Sequence, residues 1–261
     1  WAQYNLGIMY KYGKGVAKNE VTAVKWLRKA AEQGLAEAQK CIGSMIMHGQ
    51  GMAKDESEGA KWTHKAAEQG NIDAQQNLGN IYKNGMGVTK NKYSAMMWYR
   101  KAADQGYAEA QYSLGNMYAD GPGVAKDKSV VKWFRKAAVK WFRKAADQGL
   151  AKAQYNLGVM YYHGLGVDKN HDMARKLNSK AADQGYPEAI YNTSWDYING
   201  HGVRKDFDIG LKLMEKAAKL GHALSQHNLG VMYQAGQGVT KNNNLAKFWL
   251  DKAAEQGVVS P

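Results

Sequence analysis

The sequence predicts an all-α protein, an α-solenoid of seven stacked helical hairpins, and three observations support this class. A segment like residues 2–37 recurs through all 261 residues. Each copy contains two stretches with apolar residues at helical spacing. The period is 36 residues except for one interval of 43, counted on the glycine after each second helix: Gly34, Gly70, Gly106, Gly149, Gly185, Gly221 and Gly257. A fixed period of this length is typical of solenoids, in which each unit buries its apolar face against its neighbours.

The repeat units are expected to form one array over residues 1–261, without a domain boundary. Their approximate limits are residues 2–37, 38–73, 74–109, 110–152, 153–188, 189–224 and 225–261. The fourth unit carries a net insertion of seven residues.

The first stretch of each unit predicts a helix, named helix A below. In the first repeat Ala2, Leu6, Met9 and Tyr10 share one face. A glycine recurs inside this helix, where it costs roughly 1 kcal/mol relative to alanine. We therefore expect these glycines to allow close approach of a neighbouring helix: Gly7, Gly43, Gly79, Gly115, Gly158 and Gly230.

The second stretch predicts helix B, with Ala23, Trp26 and Leu27 among its inward residues. An Asn or Asp precedes it in every unit, and its side-chain oxygen can accept from the free amides of the first turn. These predicted N-caps are Asn19, Asp55, Asn91, Asp127, Asn170, Asp206 and Asn242. A glycine then ends helix B in the left-handed conformation.

The repeat resembles the Sel1-like repeats, relatives of the tetratricopeptide repeats, over essentially the whole chain. The matching motifs are Ala-x-Ala-Gln-x-x-Leu-Gly-x-x-Tyr at 108–118, Gly-x-Gly-Val at 164–167, and aromatic-x-Arg-Lys-Ala-Ala-(Glu/Asp)-Gln-Gly at 98–106. The resemblance implies a right-handed solenoid of bacterial origin that acts as a protein-interaction scaffold. The sequence departs from the family pattern in the sixth repeat, where Thr193 and Ser194 replace Leu-Gly.

Residues for catalysis or metal binding are not grouped in the sequence. The seven histidines include no pair at the spacing of a helical zinc motif, and there is a single cysteine, Cys41. The Gly-x-Gly segments lack the pattern of a phosphate-binding loop. We therefore expect no enzyme activity, no catalytic residues, no cofactor and no metal.

The formal net charge of +13 favours acidic partners. The basic residues are spread along helix B, which lies on the outer wall in the resembling family, and this pattern is typical of a solvated face. Binding to nucleic acid is disfavoured because the aromatic residues belong to the core side rather than to the basic track.

The sequence says less about the cellular location of the protein and about the two ends of the chain. No transmembrane run is present. One cysteine does not decide the redox compartment, although a periplasmic or secreted location is favoured over a cytoplasmic one. The chain opens at Trp1 inside helix A and ends at Pro261 without a capping helix. We expect that the polypeptide continues with further repeats, or that its end is covered in an end-to-end oligomer.

Exposed aromatic residues on helix A suggest a partner site. In tetratricopeptide-like solenoids the helix A face away from the stack lines a concave groove. In repeats four to six this face is rich in aromatic residues, which are typical of interaction hot spots. The candidate partner-binding residues are Tyr112, Asn116, Tyr155, Val159, Tyr162, Tyr191, Trp195 and Ile198. The competing interpretation is that these aromatics pack against one another as core.

The function predicted from these features is a non-enzymatic scaffold that binds a protein or peptide on the concave helix A face. One alternative is an immunity protein that neutralises a cognate secreted toxin. Another is a binder of nucleic acid or another anionic polymer through the basic surface.

The insertion in the fourth repeat comes from a duplicated octapeptide, VKWFRKAA, at 131–138 and 139–146. Seven residues rotate a helix by about 700°, close to two full turns. The spacing therefore predicts one unbroken helix B from near Asp127 to near Gln148. Its added turns are expected to expose Trp133 and to present Lys132, Arg135 and Lys136 as a basic projection. The alternative is that one copy is looped out.

Overall fold

A computed structural model describes residues 1–121 and 128–258, and over those residues the protein is all-α, with fourteen helices and no strand. The helices alternate between helix A and helix B of successive repeats, as predicted. They are α1 (Ala2–Tyr12), α2 (Glu20–Glu32), α3 (Ala36–His48), α4 (Glu56–Glu68), α5 (Ile72–Asn84), α6 (Lys92–Asp104), α7 (Ala108–Ala119), α8 (Lys128–Asp147), α9 (Ala151–His163), α10 (His171–Asp183), α11 (Pro187–Asn199), α12 (Phe207–Lys219), α13 (Ala223–Ala235) and α14 (Asn243–Ala254). The predicted cap at Asp127 and the chain end at Pro261 lie outside the described residues.

The chain divides into two compact units, Trp1–Met117 and Tyr118–Pro261. In the first unit, Leu27 and Ile42 belong to the buried core of the first repeats. In the second unit, Met214 and Leu229 belong to a core shared by helices of the last two repeats. The single array over residues 1–261 stays a prediction.

The predicted N-caps are confirmed in the six helices B whose N-cap residue the structure describes. The Asn19 Oδ1 atom accepts from the Thr22 amide at 2.9 Å, for example. The same bond is formed by Asp55, Asn91, Asn170, Asp206 and Asn242. The caps satisfy one free amide at each helix start and so place every hairpin turn at the same point of its repeat.

The helix A glycines do permit close approach, as predicted. A Cβ atom added to Gly7 would lie 2.7 Å from the Leu27 Cγ atom of the facing helix B. One added to Gly79 would lie 2.4 Å from the Tyr99 ring. In these two repeats a large helix B side chain therefore fills the space that the missing glycine side chain leaves.

A row of buried glutamines on helix A, which was not predicted, joins the end of the preceding helix B to the end of the helix B of the same repeat. The Gln75 Nε2 atom donates to the Ala67 carbonyl oxygen at 3.1 Å, and Gln105 Nε2 donates to Gln75 Oε1 at 2.8 Å. The pairs Gln69–Gln39, Gln184–Gln154 and Gln256–Gln226 repeat this geometry. In the sixth repeat both positions are apolar together, as Ile190 and Leu220.

The duplicated octapeptide forms one unbroken helix, which confirms the prediction. Helix α8 has 20 residues, against 13 in α10. Trp133 is exposed over 59% of its surface, whereas Phe134 is half-buried with its ring 6.0 Å from that of Tyr118. The register expected for a seven-residue insertion is therefore kept.

The added turns precede the normal start of helix B. A Cβ on Gly51 would lie 2.4 Å from the carbonyl carbon of Glu20, the first residue of α2. The corresponding Gly166 faces the carbonyl carbon of Arg135 at 2.5 Å instead, so two turns come before this contact. Lys132, Arg135 and Lys136 are exposed, as predicted, and line a cleft of about 790 Å³ beside the turn that contains Gly166.

Several lysines on helix B contact tryptophan rings of the same helix. The Lys101 Nζ atom lies 4.1 Å from the centre of the Trp98 ring, one helical turn away. The pairs Lys29–Trp26, Lys65–Trp62 and Lys144–Trp141 have the same arrangement. These lysines cover tryptophan rings on helix B by cation–π contact.

Candidate functional site

The second unit contains a pocket of about 750 Å³ formed by helix A of repeat five, α9, helix B of the same repeat, α10, and helix A of repeat six, α11. Four of the predicted site residues line it: Tyr155, Val159, Tyr162 and Trp195. The last three are not required by the fold, because their positions hold diverse residues in other repeats. Trp195 occupies the position of Ile8, Ser44, Asn80 and Val231.

The aromatic residues of the pocket are only partly buried. Tyr155 and Trp195 are half-buried, and Tyr162 is exposed over 52% of its surface at the pocket edge. The Tyr162 ring lies 4.9 Å from the rings of both His163 and His171. These side chains therefore have one face in the protein and one available to a ligand.

Tyr191 lies outside the pocket lining. Its ring is 4.8 Å from that of His222, and its hydroxyl accepts from Asn228 Nδ2 at 3.1 Å. Burial lowers the pKa of His222. Tyr191 thus links α11 to α13, the next helix A. Its ring also makes an edge-to-face contact with the ring of Trp195, which lines the pocket, with the ring centres 6.3 Å apart.

The assignment of Ile198 to an exposed groove was wrong. Ile198 is only 9% exposed and belongs to a core cluster with Met214. The reason is the close approach of α12, because a Cβ atom on Gly210 would lie 2.5 Å from Ile198 Cγ1. Tyr112 and Asn116, both half-buried, lie on α7 in the first unit and do not line this pocket.

The pocket occurs where a large core side chain is replaced by a smaller polar one. Asn178 holds the helix B position that is large and apolar or aromatic in five repeats, as Leu27, Tyr99, Phe142, Met214 and Leu250, and that is Thr63 in the second repeat. It faces the helix A glycine in the same way, since a Cβ on Gly158 would lie 2.8 Å from Asn178 Oδ1. The shorter side chain fills less of the space between the helices and lines the pocket.

The Asn178 side chain is buried without a partner. It is 9% exposed, and its Oδ1 atom has no hydrogen bond to any residue in the described part of the chain. A buried polar group usually has a partner, so this exception at a pocket makes Asn178 a candidate binding residue. An amide side chain at a position that otherwise holds Thr63 or a large apolar or aromatic residue was the sequence signal that could have identified it.

Asp196 is a second unpaired group in the pocket. Its carboxylate forms no hydrogen bond or ion pair with residues that the structure describes. Burial raises the pKa of this carboxyl, while the charges of His201 and Arg175 partly offset that rise. The Arg175 guanidinium is itself paired with the Asp172 carboxylate at 2.8 Å. The sequence did not identify Asp196, because its partial burial in the pocket lining results from the packing of three helices.

The remaining chemistry is sparse in the part of the chain that the structure covers. No group of three or more His, Cys, Asp or Glu side chains is placed to hold a metal ion within residues 1–121 and 128–258. None of the helices described there combines the length and apolar character needed to cross a membrane. Cys41 is buried as a free thiol.

Comparison with solved structures finds close relatives of this fold. A protective antigen present in uropathogenic Escherichia coli strains, which displays an SLR fold, is 37% identical over 98% of this chain, with a TM-score of 0.82. A Sel1 repeat protein from Oxalobacter formigenes is 33% identical over 98% of the chain, with a TM-score of 0.81. The chain spans 54% of the first structure and 72% of the second.

An immunity protein from Pseudomonas aeruginosa has a similar fold. It is 22% identical over 84% of this chain and 81% of its own, with a TM-score of 0.53. At this identity the likeness concerns the fold alone. No curated protein sequence gives a significant match.

The family comparison covers every repeat. The Sel1 repeat model matches residues 2–35, 36–71, 72–107, 108–150, 151–186, 187–222 and 223–258. Sel1 repeats generally mediate protein–protein interactions and are typically non-enzymatic scaffolds. With seven matches and two relatives above 30% identity, this chain belongs to the Sel1 repeat family.

Proposed function

We propose that this protein is an interaction scaffold whose second unit binds a protein partner at the pocket between repeats five and six. The observation that carries the proposal is the set of half-exposed aromatic residues, Tyr155, Tyr162 and Trp195, around one cavity of about 750 Å³. Aromatic side chains that are half-buried before binding lose little conformational freedom when a partner covers them. A cavity beside them can anchor one projecting side chain.

The proposal is tested with the full chain as bait and proteins of its native organism as prey. Wild-type protein and Trp195→Ala are compared, and Tyr93→Ala serves as the control because Tyr93 is an exposed aromatic residue of the first unit, 85% accessible. A partner that is lost with Trp195→Ala and kept with Tyr93→Ala is then purified, and its affinity for all three proteins is measured by calorimetry. Equal affinity for all three would overturn the proposal.

The immunity-protein alternative is a special case of the same activity, with a toxin as the partner. If the captured partner is a toxin, the calorimetric comparison tests this alternative as well. The anionic-polymer alternative requires the basic surface instead of the pocket. Its signature is DNA or heparin binding that falls steeply with salt and is unchanged by Trp195→Ala.

A further inference from the structure

We infer that the pocket between repeats five and six receives a cationic side chain, an arginine or a lysine, of the protein partner. The inference rests on the proposed function and names the chemistry of the group that is bound. Three observations support it: unpaired acceptors, aromatic walls and the local balance of charge.

The acceptors are the Asn178 amide oxygen and the Asp196 carboxylate. Both side chains line the pocket, and neither has a hydrogen-bond partner among the described residues. An N–H donor group with several hydrogens satisfies both at once. A guanidinium or an ammonium meets this requirement, whereas an apolar side chain would leave the buried Asn178 oxygen without a bond.

The aromatic walls favour a cation over a neutral donor. Tyr155 and Trp195 line the cavity and Tyr162 lies at its edge. A cation over an aromatic face is attracted by the electron density of the ring, and the attraction increases when water is excluded. The chain already uses this contact internally, where Lys101 Nζ lies 4.1 Å from the centre of the Trp98 ring.

The local charge is opposite to that of the whole chain. With histidines counted as neutral, the charged side chains lining the pocket are Arg175, Asp172 and Asp196, one positive and two negative. Arg175 and Asp172 form an ion pair at 2.8 Å, so the lining carries one negative charge more than its positive charge. The formal charge of +13 predicts an acidic partner, but the pocket is an acidic site within that basic surface. A partner carboxylate would be repelled there by Asp196.

The histidines are the groups that could change this balance. His163, His171 and His201 also line the pocket, and His201 contributes to the field at Asp196. Positive charge on their rings would oppose a bound cation, so all titrations are carried out at one pH, 7.5.

The experiment uses the full chain labelled with ¹⁵N-tryptophan and follows the Trp195 indole N–H signal during titration with short peptides. The probes are acetyl-Gly-Arg-Gly-amide, acetyl-Gly-Lys-Gly-amide, the citrulline analogue of the first, and acetyl-Gly-Glu-Gly-amide. We expect saturable shifts with the arginine or lysine peptide at millimolar concentration. The citrulline peptide, which keeps the shape and loses the charge, is expected to bind roughly ten-fold more weakly. Trp98 and Trp141 are buried internal controls.

Two variants identify the residues involved. Asp196→Asn keeps the shape of the side chain and should weaken binding of the arginine or lysine peptide about ten-fold. Asn178→Leu should abolish binding because it fills the pocket with the residue found at the same position in α2 and α14. Equal binding of arginine, citrulline and glutamate peptides, or no shift with either cationic peptide, would overturn the inference.

The inference and the proposed function fail in different ways. A captured partner that is lost with Trp195→Ala but retains full affinity for Asp196→Asn supports the scaffold function and overturns the cationic anchor. A partner whose affinity falls with both variants supports both. A third outcome is that a cationic peptide binds the pocket but no captured partner depends on Trp195. This result supports the chemistry of the anchor and overturns its use in the proposed complex.

Discussion

Gln105 is hydrogen-bonded side chain to side chain with Gln75, through Nε2 of the first and Oε1 of the second at 2.8 Å. Gln75 in turn donates to the Ala67 carbonyl oxygen, so one amide joins the end of α6 to α5 and α4. The sixth repeat has Ile190 and Leu220 at these two positions. In these repeats the two positions are therefore either both glutamine or both apolar.

This relationship predicts strong coupling between the two residues. Gln75→Ile should destabilise the protein by roughly 1–3 kcal/mol, because it removes the hydrogen bond of Gln75 to the Ala67 carbonyl oxygen and the one that Gln75 accepts from Gln105. The double variant Gln75→Ile with Gln105→Leu reproduces the sixth repeat and should lose at least about 0.5 kcal/mol less than the sum of the single variants. A double-mutant cycle by urea denaturation measures the difference. Strict additivity would contradict the prediction.

Trp195 and Trp98 should respond differently to truncation. Trp195→Ala should weaken partner binding by roughly 2 kcal/mol or more, as central aromatic residues of interfaces do, with a far smaller effect on stability. Trp98 is 3% exposed, and Trp98→Ala should cost roughly 3–5 kcal/mol of unfolding free energy. Calorimetry and denaturation are run on both variants. Equal destabilisation would place Trp195 in the core.

Asn178→Leu should stabilise the protein while impairing binding. The variant removes an unpaired buried amide and recreates the contact that Leu250 makes with Gly230, where a Cβ would lie 2.7 Å from Leu250 Cγ. We expect a gain of roughly 1–3 kcal/mol in unfolding free energy. Asn178→Asp is the control, and it should destabilise because it buries an unpaired charge. Loss of stability in Asn178→Leu would mean that the amide has a structural role.

The added turns of α8 should be dispensable when removed in the correct register. Deleting residues 128–134 makes Asp127 directly precede Arg135, with Trp141 seven residues after the aspartate, as Trp26 follows Asn19. Deleting residues 131–138 leaves a spacing of six. We expect the first deletion to keep the helical circular dichroism and unfolding midpoint, and the second to lower the midpoint. The opposite order would contradict the register argument.

A point substitution tests the same helix. Trp133→Ala should change the unfolding free energy by less than about 1 kcal/mol because Trp133 is 59% exposed. Trp141 is 3% exposed, and Trp141→Ala should cost roughly 3–5 kcal/mol. Similar losses in the two variants would contradict the structural difference between the two copies of the octapeptide.

Tyr99 should make stability fall at high pH. Burial raises the pKa of Tyr99 to about 12, and its hydroxyl donates to Asn80 Oδ1 at 2.7 Å. A folded-state pKa above the ordinary value of about 10 means that the stabilisation is complete below pH 10 and is lost as the pH rises towards 12. Unfolding midpoints of wild type and Tyr99→Phe between pH 9 and 12 measure this. Parallel decline of the two proteins would contradict it.

The sequence by itself determined the repeat, the hairpin of each unit, the N-cap positions and the continuity of α8. These features depend on local spacing along a helix, on side chains beside their own backbone, and on the glycine recurrence that requires close helices. Asn19 and its counterparts cap helices wherever they occur, because the partner amide is three residues away.

Only the tertiary structure decided which aromatic residues lie beside a cavity and which are core. Trp195 and Ile198 share a predicted face, yet Trp195 lines the pocket while Ile198 is buried because Gly210 lets α12 approach. The Asn178 oxygen is buried without a partner and Asp196 is half-buried beside it in the pocket lining, and both facts depend on residues from three helices at once. Burial is a property of the packed assembly of helices, so spacing within one repeat could not predict it.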